Sequence, residues 1–225
     1  MSGRGIQPAA KRLFDVAASL LLLALCLPLL LAAAALVKLT SPGPVLFQQE
    51  RPGLGGRVFR IYKLRTMRTG SERMVKGQEV GRDDPRVTPA GRLLRRTKVD
   101  ELPQLLNVLK GDMSLVGPRP ERLASLGDYD AETARRLDML PGMTGLAQVS
   151  GNICLPLEER YRLDVYYVDH FSLSLDIRIL LRTVGVVLLG EGRYAGRPLV
   201  HMDKGTGKDG SRSGLSDTLG RSPRP

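Results

Sequence analysis

The chain has 225 residues, enough for one domain with an ordinary core, and carries a formal charge of +11 at neutral pH. That surplus calls for an anionic partner, but aromatic residues are only 4% with no Trp, and no zinc-finger or helix-turn-helix spacing appears, so phosphorylated substrates or anionic lipid are expected and nucleic acid is not. The two cysteines, Cys26 and Cys154, give no disulfide framework and suit a reduced, cytosol-facing chain.

Lys11-Arg12 opens an apolar run. From Val16 to Val37 only Ser19 and Pro28 interrupt it, and no residue is charged. At ~1.5 Å per residue this is long enough to cross a bilayer core. It is too long, and too poor in cleavage signals, for a removed leader. Pro28 lies near its middle, where it removes a helix hydrogen bond and favours a break. Both flanks are basic, Lys11 and Arg12 before, Lys38, Arg51, Arg57 and Arg60 after, which places both ends on the cytoplasmic side. A kinked span and a helix–break–helix that leaves by the face it entered both meet these facts.

Thr40-Ser41-Pro42-Gly43-Pro44 closes this segment as a turn cluster. Val45–Gln49 and Val58–Tyr62 are short β-prone runs around Pro52-Gly53-Leu54-Gly55-Gly56, and predict a β-hairpin. The glycines lack the third member and the βαβ context of a dinucleotide fingerprint. Lys63-Leu64-Arg65-Thr66-Met67 leaves the hairpin, Ser71 to Asp84 is a polar loop or short helix, and Asp84-Pro85 and Thr88-Pro89 are turn signals.

The richest stretch is Arg95 to Pro120, R-R-T-K-V-D-E-L-P-Q-L-L-N-V-L-K-G-D-M-S-L-V-G-P-R-P. Pro103 near a helix start, leucines 102, 105, 106 and 109 at helical spacing and Lys110-Gly111 at the end predict a helix with Asp100 and Glu101 at its N-terminus. Arg95, Arg96 and Lys98 precede that pair, and Arg119 follows between Pro118 and Pro120. Acidic residues in a first turn commonly just complement the helix dipole. A carboxylate there, ringed by Arg and Lys, is also what phosphoryl chemistry with an aspartyl nucleophile requires.

The run from Asp84-Pro85 through Val99-Asp100-Glu101-Leu102-Pro103 to Gly117-Pro118-Arg119-Pro120 resembles the signature of the bacterial sugar transferases, the small monotopic phosphoglycosyl transferases that load polyprenyl phosphate with a sugar phosphate. The similarity extends from about Lys11 to about Gly190. The resemblance implies a re-entrant membrane hairpin broken at Pro28. It also implies an active site with Asp100 as nucleophile, Glu101 as ligand of Mg²⁺, Arg95 and Arg119 on substrate phosphates, and Lys63 close by. Lys63 reads equally well as a solvated strand end.

Glu121 to Leu140 reads as helical, and Pro141 to Gly151 as a loop rich in Gly and small polar groups. The resemblance puts that loop, with Gln148, beside the active site together with Pro118, Pro120 and Asp176; a purely structural loop, and a helix-capping role for Asp176, fit the residues as well. The family often shows G-R-N after this loop and a Trp a few residues on. This chain has Gly151-Asn152-Ile153 and then Leu157, which puts sugar recognition in question. Leu157 to Val168 is a helix carrying Tyr161, Tyr166 and Tyr167. Asp176 to Leu189 is an apolar helix with Arg178 and Arg182 four apart, either in the core or on the membrane surface with snorkelling arginines.

The expected architecture is therefore mainly α with a small β-hairpin. Residues 1–40 form a membrane helix–break–helix, 41–202 a compact cytoplasmic catalytic domain with interfacial helices, and 203–225 a tail almost without apolar residues, disordered by composition. The resemblance implies transfer of a sugar 1-phosphate from a UDP-sugar to undecaprenyl phosphate at the cytoplasmic face of the bacterial inner membrane, with UMP released. Asp100 attacks first, the lipid phosphate second, in a ping-pong sequence that starts bacterial polysaccharide or glycoconjugate assembly. A basic membrane-anchored scaffold is a competing reading, but leaves the D-E-L-P and P-R-P runs unexplained; a UDP-releasing glycosyl transferase is another. Membrane lipids are expected contacts, and a homo-oligomer is left open.

Overall fold

The computed structural model describes residues 8–71, 84–195, 197, 199 and 200. The expected tail, 203–225, and nearly all of the polar stretch after Ser71 lie outside these residues. The architecture is mostly helical with two small sheets.

The first element, α1, is a helix over Ala9–Thr40 that continues through Pro28. The expected division into two separate helices is thus corrected. Pro28 removes one internal hydrogen bond, and helical pairing resumes beyond it. Both ends of α1 pack on the rest of the chain. Lys11, Asp15 and Ser19 are buried near one end, Ala33 and Val37 near the other, while Leu20, Leu21, Leu25, Leu29 and Leu31 between them are exposed.

Arg65 fastens the turn that follows, donating to the carbonyls of Ser41 (2.7 Å) and Pro42 (2.6 Å). The predicted hairpin is present as β1 (Leu46–Pro52) and β2 (Val58–Leu64), antiparallel, with Leu46 opposite Leu64 and Pro52 opposite Val58. Next comes α2, Pro89–Thr97. Thr88 caps it by accepting from the Gly91 N–H at 2.9 Å, and Pro89 stands at its first turn, where no N–H is needed. The pairing of Thr-Pro as a cap, and not merely a turn, was the signal for this helix.

Val99–Gln104 is a 3₁₀ turn, and only Leu105–Lys110 (α3) is α-helical, closed by Gly111 at φ 89°. The single helix expected from Leu102 therefore begins earlier and wound more tightly. Lys98, at φ 58°, ends α2 and starts this turn, so the chain changes direction just before Asp100. Two strands absent from the sequence reading follow: β3 (Ser114–Val116) pairs in parallel with β4 (Gly142–Thr144). The supposed loop after Pro141 is thus a strand followed by a short helix, α4 (Leu146–Val149). Its glycines serve close packing. A Cβ on Gly142 would lie 2.1 Å from the Gly117 nitrogen, and one on Gly117 2.4 Å from the Leu140 oxygen.

Between these strands the expected continuous helix is instead two 3₁₀ turns, Leu123–Asp128 and Thr133–Asp138. Residues 129–132 separate them, with Asp130 accepting from the Thr133 N–H at 2.7 Å. The last two helices are α5 (Leu157–Asp169), as predicted, and α6 (Leu173–Leu189). Ser172 caps α6, accepting from Leu175 N–H at 3.2 Å, so Asp176 is not the cap. Arg182 does not snorkel: it donates to the Val149 carbonyl at 3.1 Å and lies over the Tyr194 ring.

The main core gathers Leu105, Val108, Met113, Leu146, Leu163, Tyr167 and Ile179. A second, smaller cluster joins Ala33 and Val37 of α1 to Leu64, Leu94 and Val99. Leu102 touches both. The second cluster therefore fixes α2, β2 and the 3₁₀ turn against one another, and those three elements carry most of the candidate site.

Candidate active site

A cleft of about 480 Å³ opens between the hairpin, α2, the 3₁₀ turn and the end of α6. Its polar wall holds Lys63, Arg92, Arg95, Arg96, Lys98 and Arg119 around Asp100 and Glu101; Phe47, Ile153, Val186 and Val187 form an apolar lip. Six cationic side chains face two carboxylates, a formal surplus of four positive charges.

Local structure sets each group. Asn107 of α3 donates to the Arg60 carbonyl (2.8 Å) and accepts from the Tyr62 N–H (3.0 Å), so β2 is clamped at the residue before Lys63. Lys63 then bonds Glu101 Oε1 at 2.7 Å, and Arg119 reaches the same oxygen at 3.8 Å. Gly91 lets α2 sit directly on the Thr66 backbone, since a Cβ there would be 2.0 Å from the Thr66 oxygen. Arg95, one turn on, donates from Nε to Thr66 Oγ1 at 2.9 Å.

The two carboxylates are driven apart. Burial opposes the charge of Glu101, but Lys63, Arg119 and Lys98 outweigh it and hold its pKa well below the usual range. Asp100 is pushed upward, first by burial and then by the Glu101 charge, with Lys63, Arg95 and Lys98 recovering only part. Asp100 is 7% exposed, and its Oδ1 has no hydrogen-bond partner among the described residues. A buried carboxylate oxygen without a partner is costly, and native structures retain one mainly where function uses it.

Of the residues named from sequence, Asp100, Glu101, Lys63, Arg95 and Arg119 meet in this cleft. Pro118 and Pro120 flank Arg119 and line a narrow recess behind it. Gln148, on α4, lines neither the cleft nor that recess; its amide donates to the Met143 carbonyl at 3.0 Å, and its Oε1 is buried without a partner among the described residues. Asp176 is not a lining residue. It is fully buried with Lys11 and accepts from Tyr167 Oη at 2.7 Å, tying α6 to α1. Pro28 lies in α1. Sequence reading missed Thr66, Arg92 and the apolar lip, because only the packing of α2 and α6 brings them to the cleft.

Among the described residues no cluster of three or more His, Cys, Asp or Glu side chains is present. A cation here would have one or two carboxylates and lean on substrate phosphates, which is the usual manner for Mg²⁺. The second oxygen of Glu101 fits that arrangement, since only its Oε1 is engaged by Lys63.

The profile of the bacterial sugar transferases matches residues 6–190. The chain belongs to that family. It is 48% identical over 182 residues to the sugar transferase EpsL of Bacillus subtilis, covering 81% of this chain and 89% of the relative. It is 49% identical over 195 residues to the UDP-glucose:undecaprenyl-phosphate glucose-1-phosphate transferase of Caulobacter vibrioides (82% and 72%). An Aeromonas hydrophila protein named as a UDP-N-acetylgalactosamine-undecaprenyl-phosphate N-acetylgalactosaminephosphotransferase is 43% identical over 189 residues, covering 81% of this chain and 44% of that one. This member of the bacterial sugar transferases is thus an enzyme, a transferase, and its cleft lies within the matched region.

Proposed function

We propose that this enzyme transfers a sugar 1-phosphate from a UDP-sugar to undecaprenyl phosphate and releases UMP, with Asp100 as the nucleophile. The observation that carries this reading is the buried, unpartnered Oδ1 of Asp100 inside a cleft with a surplus of cations. The names of the relatives supply the substrates.

Both substrates are anions, so repulsion is the main obstacle. Two unit charges ~4 Å apart interact by ~4 kcal/mol at an effective dielectric of ~20, or a factor of about 10³ in rate. Lys63, Arg95, Lys98 and Arg119 offset that repulsion, and the arginine forks of Arg95 and Arg119 suit phosphate oxygens. Asp100 Oδ1 attacks the sugar-bearing phosphorus, the bridging P–O bond breaks, and UMP leaves with its electron pair. An oxygen of the lipid phosphate then attacks the same phosphorus and expels the Asp100 carboxylate, leaving the lipid-linked diphosphosugar. Neither nucleophile needs a base, since each is ionised at neutral pH. Glu101, with Asp100 beside it, would hold Mg²⁺. The ion supplies charge neutralisation at the phosphates when bound.

We further infer a re-entrant placement of α1, with the domain on the cytoplasmic face of the inner membrane. Arg12 donates to the carbonyls of Val108 (2.6 Å) and Leu109 (3.0 Å), while Val37 packs with Val99 and Leu94. A straight helix would separate residues 12 and 37 by about 38 Å at ~1.5 Å per residue. Nine residues of tight helical turns separate Val99 from Val108, under about 20 Å even at the ~2 Å rise of a 3₁₀ helix. A bend at Pro28 reconciles the two, and both ends then belong to one side of the membrane. The exposed leucines at its middle suit lipid.

The experiment is direct. Purified enzyme, Mg²⁺, a panel of UDP-sugars and undecaprenyl phosphate should yield UMP with one of them. Stoichiometric UDP would refute the reading, and so would no nucleotide product from any sugar.

A further inference from the structure

Pro118 and Pro120 carry no backbone N–H, so in the segment that presents Arg119 only Arg119 itself can donate from the backbone, to Asp164, and the three carbonyls supply the other backbone hydrogen bonds. All three are held. The Gly142 N–H donates to the Pro118 oxygen at 2.9 Å, Arg136 Nη2 to the Arg119 oxygen at 3.0 Å, and Arg51 Nη1 to the Pro120 oxygen at 3.3 Å. The middle contact is the unusual one. Arg136 is 4% exposed and uses every nitrogen of its fork. Nε and Nη2 both donate to Asp164 Oδ2 (3.1 and 2.6 Å), and Nη1 donates to Tyr129 Oη at 2.7 Å. Its guanidinium lies 4.2 Å from the centroid of the Tyr161 ring and 5.5 Å from that of Tyr129.

A buried ion pair of this kind is a weak source of stability, because desolvation consumes most of the attraction. Burial works against the Arg136 charge, and Asp164 more than restores it. What a planar, fully engaged fork does supply is a fixed position for the carbonyl it holds. That carbonyl belongs to a cleft residue that has no regular element beneath it. Lys63 stands on β2 and Arg95 on α2; Arg119 stands on a loop between two prolines.

We propose that Arg136, with Asp164 as its counter-ion, is a positioning residue that holds the Arg119 backbone so that the Arg119 guanidinium meets a substrate phosphate in the cleft. This rests on the proposed function only in taking the cleft as a phosphate site. Arg136 itself lines the recess behind the loop and not the cleft.

A double-mutant cycle tests it. Arg136→Lys keeps the charge and loses the fork. Two readouts are taken: the rate of UMP release, and the Kd of inorganic pyrophosphate by calorimetry, which requires no turnover. Arg136→Lys should lower the rate at least tenfold and weaken pyrophosphate at least fivefold in the wild-type background. In an Arg119→Ala background each effect should shrink to less than twofold, because Arg119 is the group through which Arg136 acts. Tyr129→Phe, which removes one hydrogen bond to Arg136 and leaves the ion pair, should follow the same pattern at two- to threefold and carries the cycle alone where Arg136→Lys does not fold. Equal factors in both backgrounds would show a merely structural role and overturn the proposal, as would a wild-type protein that does not bind pyrophosphate. Coupled pyrophosphate affinities without UMP release would leave the positioning role standing and sink the phosphotransfer reading instead.

Discussion

Asp100→Asn should make the protein more stable while it abolishes turnover. The structure gives the sign. The folded pKa of Asp100 lies above its ordinary value, through burial first and the neighbouring Glu101 charge second. At neutral pH the folded state therefore holds a carboxylate that it would sooner hold protonated, and ionisation costs stability. The penalty is absent below the unfolded pKa of about 3.9, grows as pH rises through the folded pKa, and is complete at neutral pH. A neutral amide of the same shape removes it. The amide still leaves an unpartnered polar group at this position, so the gain is that of the charge alone, on the order of 1 kcal/mol, or about 3 °C in Tm for a chain of this size. Thermal unfolding in detergent at pH 7.5 should show the rise, and a series taken down toward the unfolded value of about 3.9 should show it shrinking. A lower Tm for the variant at pH 7.5, or an advantage that widens on acidification, would refute the assignment of Asp100 as a desolvated, like-charge-crowded group. UMP release should be lost in either buffer, since an amide is a poor nucleophile.

Supplied with UDP-sugar but no lipid, the wild type should gain the mass of one sugar phosphate at Asp100, cleavable by hydroxylamine; no adduct, together with initial-rate patterns of a ternary complex, would replace the two-step route by direct transfer. Glu101→Gln should behave oppositely to Asp100→Asn in stability at neutral pH, because Lys63 and Arg119 hold the Glu101 pKa low and that contribution is lost only as pH falls through the low folded value; it should also blunt the loss of activity caused by EDTA. Cysteines introduced at Ser2 and at the exposed Arg57 should both label from the cytoplasmic side, and Pro28→Ala, which relieves roughly 3 kcal/mol of helix-breaking cost, should move a fraction of Ser2 to the far side. Lys11→Met should destabilise by about 3–5 kcal/mol, read as a fall in Tm, because it strands the buried Asp176 charge, with Lys11→Met/Asp176→Asn recovering part of the loss.

The elements that sequence made legible are those with local causes. The hairpin has β-prone runs around glycines, α5 has a helical period, and Gly111 closes α3 in the left-handed conformation. The acidic pair and its arginines were legible as a cluster because they are close in sequence. What escaped had distant causes. The parallel pair β3–β4 joins residues about 28 apart through strands of three residues each, too short for any alternation to register. Glu121 to Leu140 has helical composition, yet Arg136 is drawn to Asp164 and Tyr129 to Tyr161, both on α5, and two 3₁₀ turns accommodate that better than one straight helix. Nothing in the sequence sets Arg136 apart from Arg135, and only burial distinguishes the second arginine from the first.

The contacts of α1 build the apolar helix and the cleft as one object. Lys11 pairs with Asp176 of α6, the helix whose far end forms the apolar lip of the cleft. One turn on, Asp15 accepts from the Ser114 hydroxyl at 2.8 Å and the Leu115 N–H at 3.2 Å, and β3 runs from there straight into Pro118-Arg119-Pro120. At its other end Val37 packs with Leu64 and Val99, each one residue from a charged group of the site, Lys63 and Asp100. Every wall of the cleft is thereby referenced to the apolar helix. An acceptor whose phosphate rides at headgroup depth on a lipid tail would meet the cationic cluster at a height set by these buried contacts, because a rigid interior transmits position with little give. Loosening them would misplace the site relative to the acceptor without touching a residue that contacts it, and a misplacement of about 1 Å can cost about a hundredfold in rate.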